Sequence, residues 1–304
     1  MTKPTLRQLS YLVALADEGH FDRAADLCSV SQPALSSQIR ELEQRLDTTL
    51  VERLAKGARL TTVGEEIVGR ARRVLADVDE LVDSAQLNRD SLSGVLAVGA
   101  IPTIAPYVLG DFVPEVVARH PSATLRFEEL QTHDLLAALR NGQIDLGLCA
   151  LPVEGHDLVA QALIDDPFLL ALSAQHPLAA STVPLSTSVL ASENVLLLSE
   201  GHCLRDQALA VCSGVTAQPT DLRATSLHTL VQMVAANVGV TLLPATATDV
   251  EARAGNGIVV REFLEPPSRT LALVWRASSP RATHFKDLAT QFSLRLRAKK
   301  LYSM

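Results

Sequence analysis

The chain has 304 residues, enough for two or three domains, with an ordinary globular composition and a net charge of -7. No apolar run approaches the roughly 20 residues of a membrane span, and the opening residues lack the pattern of a secretory signal, so the sequence predicts a cytoplasmic protein with no membrane partner. Residues 1–60 carry eight basic against eight acidic side chains, so any contact with nucleic acid must rest on where charges sit and not on their sum.

Three short helices are predicted at the start, over Leu6–Glu18, Asp22–Leu27 and Ser31–Leu46. In the third, Ser31 is a natural N-cap and Pro33 falls in the first turn, where a missing N–H costs little. Leu35, Ile39, Leu42 and Leu46 recur at helical spacing as one buried stripe. Pro33, Ser36, Ser37 and Arg40 are then expected to point away from the core, with Gln32 at the exposed helix start. Small polar side chains and an arginine on a free face suit a DNA major groove. A polar stripe alone is more often a solvated face. The tight helix-turn-helix spacing, followed by Arg53, Lys56 and Arg59 in a strand-like hairpin placed to touch phosphates, favours the DNA reading.

Thr62-Val63-Gly64-Glu65 has capping-box spacing and opens a predicted helix to about Ser91. Within it Ile67, Ala71, Val74, Val78, Leu81 and Ala85 step 4, 3, 4, 3, 4, a heptad seam widened by Val68, Leu75 and Val82. Such a seam predicts pairing with the same helix of a second subunit, because a single helix between domains has little of its own domain to cover it.

From Gly94 onward short β-rich runs alternate with helices, predicting an α/β domain. The strands fall at Val95–Ala100, Thr124–Glu128, Asp145–Ala150, Phe168–Ser173, Val195–Leu198, Val240–Leu243, Gly257–Phe263 and Thr270–Arg276. Helices include Thr132–Arg140, Leu204–Val211, Leu227–Ala236 and Arg281–Lys299.

The stretch Glu200-Gly201-His202-Cys203-Leu204-Arg205-Asp206-Gln207 continues to Cys212, nine residues after Cys203. On a helix that separation is about 13 Å along the axis, whereas a disulfide needs Cα atoms within about 7 Å. Joining the two therefore requires the helix to unwind, and oxidation would change the structure. His202, Arg205 and a helix start are expected to favour thiolate over thiol at Cys203, and thiolate is the form that peroxides attack. Cys28 and Cys149 lie in apolar surroundings and are expected to be core residues with no redox role.

These blocks together resemble the LysR-type transcriptional regulators, over essentially the whole chain. Arg23-Ala24-Ala25, Val30-Ser31-Gln32-Pro33-Ala34-Leu35-Ser36, Ile39-Arg40-Glu41-Leu42-Glu43 and Leu60-Thr61-Thr62-Val63-Gly64 carry the family signature. Gly201 to Ala208 with Cys212, Arg223-Ala224-Thr225-Ser226-Leu227 and Thr241-Leu242-Leu243-Pro244-Ala245 resemble its peroxide-sensing branch. The resemblance implies a mixed fold: a winged helix-turn-helix over 1–61, a linker and dimerisation helix over 62–92, and an α/β regulatory domain over 93–304 like the periplasmic binding proteins. Its two subdomains would be about 93–164 with 269–304, and about 165–268. It further implies a homodimer or homotetramer on double-stranded promoter DNA, contact with RNA polymerase, and a thiol reductant that resets the switch. DNA-binding residues would be Arg7, Gln32, Pro33, Ser36, Ser37, Arg40 and Arg53. By the same resemblance Cys203 is the cysteine that attacks hydrogen peroxide, Cys212 resolves it as a disulfide, and Thr103, Thr132, His202 and Arg269 form the peroxide pocket.

Two other classes account for parts of the sequence. A regulator of metabolic genes would hold a small organic effector in the cleft between subdomains and have no need of the cysteine pair. A thiol peroxidase would also begin at Cys203 but would leave the DNA-binding segment unexplained. Walker-type glycine loops, G-x-S-x-G and metal-ligand spacings are absent from the sequence, which predicts no cofactor, no metal and no enzyme.

Overall fold

The computed structural model describes residues 3–54, 57–86, 92–215 and 219–302. The chain divides into two compact units, the first centred on residues up to 90 and the second on the rest.

The first unit orders as α1 (Leu6–Glu18), α2 (Phe21–Leu27), α3 (Gln32–Leu46), β1 (Val51–Leu54), β2 (Gly57–Leu60) and α4 (Thr62–Gln86). A reciprocal cap starts α1: Thr5 Oγ1 accepts from Gln8 N at 3.2 Å while Thr5 N donates to Gln8 Oε1 at 3.1 Å. Leu35, Ile39 and Leu42 of α3 are fully buried beside Leu12, Leu15 and Leu50. Burial at that level contributes about 1.5–3 kcal/mol per side chain. β1 and β2 form an antiparallel hairpin. Lys56 of the expected wing lies outside the described residues.

Two expectations for α4 change. Its cap is Thr61, whose Oγ1 accepts from Gly64 N at 3.0 Å, one residue before the Thr62 expected from the spacing. A Cβ on Gly64 would sit 2.1 Å from Leu50 O, so the first turn of α4 lies directly on that backbone and tolerates only glycine. The start of the seam is also not free for a partner. Ile67 packs against the first unit's core, Val68 is 6% exposed within it and Ala71 is buried, because the first turns of α4 complete that core. Val74 and Leu81 remain exposed and Val78 half-buried. The side chain of Ala85, and the helix end expected near Ser91, lie outside the described residues.

The second unit comprises β3 (Gly94–Ala100), α5 (Ala105–Arg119), β4 (Ala123–Glu129), α6 (Thr132–Arg140), β5 (Leu146–Ala150), β6 (Leu158–Ser173), β7 (Val195–Leu198), α7 (Cys203–Gly214), β8 (Pro219–Ala224), α8 (Leu227–Ala235), β9 (Thr241–Pro244), α9 (Thr248–Glu251), β10 (Ile258–Arg261), β11 (Ser268–Arg276) and α10 (Ala282–Tyr302). A seven-stranded sheet runs β10-β6-β11-β5-β3-β4, with β9 also on β6. β3 pairs in parallel with both β4 and β5, as crossover helices require.

Two hydrophobic cores flank β6. One gathers Val98, Phe112, Leu148, Leu273 and Phe292, the other Leu170, Leu196, Val231 and Leu243. β6 serves both by changing partners: residues up to Pro167 pair with β11, and those from Phe168 pair with β9 and β10. Only Phe168–Ser173 was expected as strand. The earlier half carries Gln161, Asp165, Asp166 and Pro167, a composition that does not advertise a strand, and the proline stands where the partner changes and a ladder N–H is least needed.

Candidate functional site

Both cysteines lie in α7, so the condition under which their spacing forbids a bridge is met. Cys203 is its first residue and half-buried, Cys212 is 1% exposed, and all four cysteines are free. His202 precedes the helix as a residue in extended conformation and makes no side-chain cap. Burial raises the Cys212 thiol above its ordinary range. Cys149 is wholly buried on β5, where burial first, and Cys203 nearby second, push its thiol up to about 12. Cys28 is half-buried at the end of α2 and burial raises it too.

Thr103, Gln131, Thr132, Gly201 and His202 close around Cys203 in a small pocket. It has no room for a typical metabolite, whose sites run to several hundred Å³. Gly201 is forced by geometry. Its φ is +92° and a Cβ would fall 2.1 Å from Gln131 Oε1. Gln131 and Gly201 were not expected here; only the glycine before His-Cys could have signalled a tight approach. The Thr132 hydroxyl oxygen is buried with no hydrogen-bond partner, an open donor and acceptor at the cavity.

Two expected roles change in detail. His202 is 6% exposed, and burial lowers its pKa below the ordinary 6.5, although a hydrogen bond to the Thr225 backbone and Glu129 pull the other way. Burial thus works against the charged form of its imidazole. Arg205 faces Glu200 at 3.6 Å, so its charge is shared. Arg269 does not line the pocket with a free guanidinium. Its side chain has no exposure, Nε donates to Asp166 Oδ2 at 2.9 Å, Nη1 to Thr103 Oγ1 at 3.0 Å and Nη2 to Thr103 O at 2.9 Å. It holds Thr103, and Thr103 faces the cavity.

A second cleft, of about 360 Å³, adjoins His202 and is bordered by Tyr107, Glu129, Ser226 and His228. Glu251 is buried there between Tyr107 Oη at 2.8 Å and His228 Nδ1 at 3.0 Å. Burial, then the hydrogen bond to Glu251, raise the Tyr107 hydroxyl pKa.

On the first unit, Pro33, Ser37 and Arg40 of α3 are exposed, as is Arg7 of α1, and Gln32 is half-exposed. Ser36 differs from expectation. It is 4% exposed because Arg53 reaches over it, Nη1 donating to Ser36 Oγ at 3.0 Å while the guanidinium stacks 4.9 Å from the Phe21 ring. Arg53 therefore ties β1 to α2 and α3. Among the described residues no cluster of three His, Cys, Asp or Glu could hold a metal, and no helix is long and apolar enough to cross a membrane.

Residues 6–65 match the bacterial regulatory helix-turn-helix model of the lysR family, and residues 89–293 the LysR substrate binding domain. The Escherichia coli K12 DNA-binding transcriptional dual regulator OxyR is 43% identical over 294 residues, covering 96% of this chain and 95% of that protein. A full-length Pseudomonas aeruginosa OxyR variant superposes with a TM-score of 0.83 at 39% identity, over 97% and 96% of the two chains. A Corynebacterium glutamicum OxyR cysteine mutant solved with H2O2 bound gives 0.66 at 34% identity, over 98% and 96%. With a matching DNA-binding half, a matching regulatory half and relatives of this identity over nearly the full length, the chain belongs to the LysR family of bacterial helix-turn-helix regulators and is closely related to OxyR.

Proposed function

We infer that this chain is a hydrogen-peroxide-sensing, DNA-binding transcriptional regulator of antioxidant genes, acting in the cytoplasm and switched by a reversible Cys203–Cys212 disulfide. The observation that carries this reading is the pocket that places one accessible cysteine, at a helix start, beside Thr103, Thr132 and the buried His202. Thiolate attack forms the bond from Cys203 Sγ to one peroxide oxygen and breaks the O–O bond; the sulfur gives two electrons to the peroxide, and the departing hydroxide takes up the proton released when the thiol ionised and leaves as water. The resulting sulfenic acid condenses with Cys212, releasing water.

Within the proposed division into 1–61, 62–92 and 93–304, the subdomains about 93–164 plus 269–304 and about 165–268 are supported by the separate cores on either side of β6. Dimerisation through α4 is supported by Val74, 42% exposed on a helix face of hydrophobic spacing. A dimer of dimers on promoter DNA, contact with RNA polymerase and a thiol reductant complete the proposed cycle. The alternative, a small organic effector, has the 360 Å³ cleft in its favour. Footprinting of the reduced and peroxide-oxidised full chain on its own promoter tests the reading. Protection that shifts on oxidation, and stays fixed in Cys203→Ser, supports it; protection indifferent to peroxide abandons it.

A further inference from the structure

We propose that Asp166 is a positioning residue for peroxide sensing, acting through Arg269 to fix the direction of the Thr103 hydroxyl beside Cys203; this rests on the peroxide reading of that pocket. Asp166 and Arg269 are cross-strand neighbours of β6 and β11, and neither side chain has any exposure. The carboxylate is fully engaged. Oδ2 accepts from Arg269 Nε and from Thr246 Oγ1, each at 2.9 Å, and Oδ1 accepts from Thr246 N at 2.9 Å. Those bonds fix the plane of the guanidinium, and its remaining nitrogens donate to Thr103 Oγ1 and Thr103 O.

Arginine donates only, so Thr103 Oγ1 must accept from it. The Thr103 proton is thereby freed from Arg269 and left to point into the cavity, where it can donate to the peroxide oxygen that departs as hydroxide. A buried ion pair contributes little net stability compared with apolar residues of the same volume. Here the pair fixes a single hydroxyl that faces the reactive cysteine. Thr246 lies in the short 3-10 turn Ala245–Ala247 after β9, and Ala247 is in the second core, so the same carboxylate joins the sensing pocket to that core.

The test compares two reactions of Cys203 in the reduced full-length protein: oxidation by H2O2, and alkylation by iodoacetamide, each followed by peptide mapping. Alkylation needs the thiolate but no hydroxyl aimed at a leaving oxygen. Asp166→Asn is expected to slow peroxide oxidation by roughly ten- to a hundredfold, with alkylation changed by no more than about twofold. Adding Thr103→Val to Asp166→Asn is expected to cost little more, since both act on one hydroxyl. Should Asp166→Asn not fold by circular dichroism, Thr246→Val, which removes one donor to the same carboxylate, is read the same way and is expected to show a smaller peroxide-selective loss. An equal fall in both rates, an unchanged peroxide rate in the folded variant, or additive losses in the double variant would overturn the role. Failure of wild-type Cys203 to react with peroxide at all would instead overturn the peroxide reading itself.

Discussion

Cys203 and Cys212 share one helix yet pack into different hydrophobic cores: Cys203 lies against the core of β3, β5 and α10, while Cys212 is buried in the core built on β7, β9 and α8. A bond between them must lift Cys212 out of its core as well as unwind α7. Brief peroxide treatment should therefore yield a Cys203–Cys212 link by peptide mapping, and backbone amides across Cys203–Gly214 should exchange faster in the oxidised protein. A loop closure worth about 3 kcal/mol is of the size needed to reverse such a local equilibrium. Recovery of a Cys203–Cys149 link in its place would discard this pairing.

Thr132 offers a prediction of opposite sign for stability and function. Its hydroxyl oxygen is buried and unpartnered. Thr132→Val removes that group while keeping the shape, so stability should rise or hold within about 1 kcal/mol, while the peroxide rate of Cys203 should fall. Urea denaturation and stopped-flow oxidation measure the two, and a loss of stability equal in weight to the loss of rate would count against a sensing role.

Much of this site was legible because it is contiguous: Gly201-His202-Cys203 names its own chemistry, and Cys212 follows nine residues on, across the helix expected over Leu204–Val211. Thr103, Thr132 and Arg269 came only through the family resemblance, since each lies on a different element. Asp166 carried no signal at all, being one acid in a polar half-strand whose pairing with β11 depends on tertiary contact. The same gap explains Ser36, which the helical stripe placed outside: periodicity sees the neighbours along α3 but not Arg53 arriving from β1.

Acid should weaken the fold. His202 and His120 both have pKa values lowered from 6.5, chiefly by burial. Below pH 6.5 the unfolded chain therefore binds more protons than the folded one at these sites. Their favourable contribution is complete above that pH and is lost as pH falls through it. The urea midpoint should drop between pH 7.5 and pH 5, and His202→Gln should make that dependence shallower. Identical slopes for the variant and the parent would remove His202 from the account.

The DNA-facing helix yields the last prediction. Arg40 is exposed on α3 and, among the described residues, its side chain makes one long bond of 3.4 Å from Nε to Ser36 O, so its guanidinium is available to a base edge. Arg53 is already committed to Ser36 and the face of Phe21, so it acts both as a cation and as a brace between β1 and α3. Arg40→Ala should cost about 1–3 kcal/mol at the specific operator and relax the sequence preference, with thermal stability unchanged. Arg53→Ala should weaken specific and random DNA alike, reduce the slope of affinity against salt by about one ion, and also lower the melting temperature. Ser36→Ala separates the two effects of Arg53. It removes the brace and keeps the charge, so it should lower stability and specific affinity while leaving the salt slope intact. Salt titrations of binding by fluorescence anisotropy, run beside thermal melts, resolve all three; a Ser36→Ala protein whose salt slope falls as far as that of Arg53→Ala would show that Ser36 itself meets the DNA.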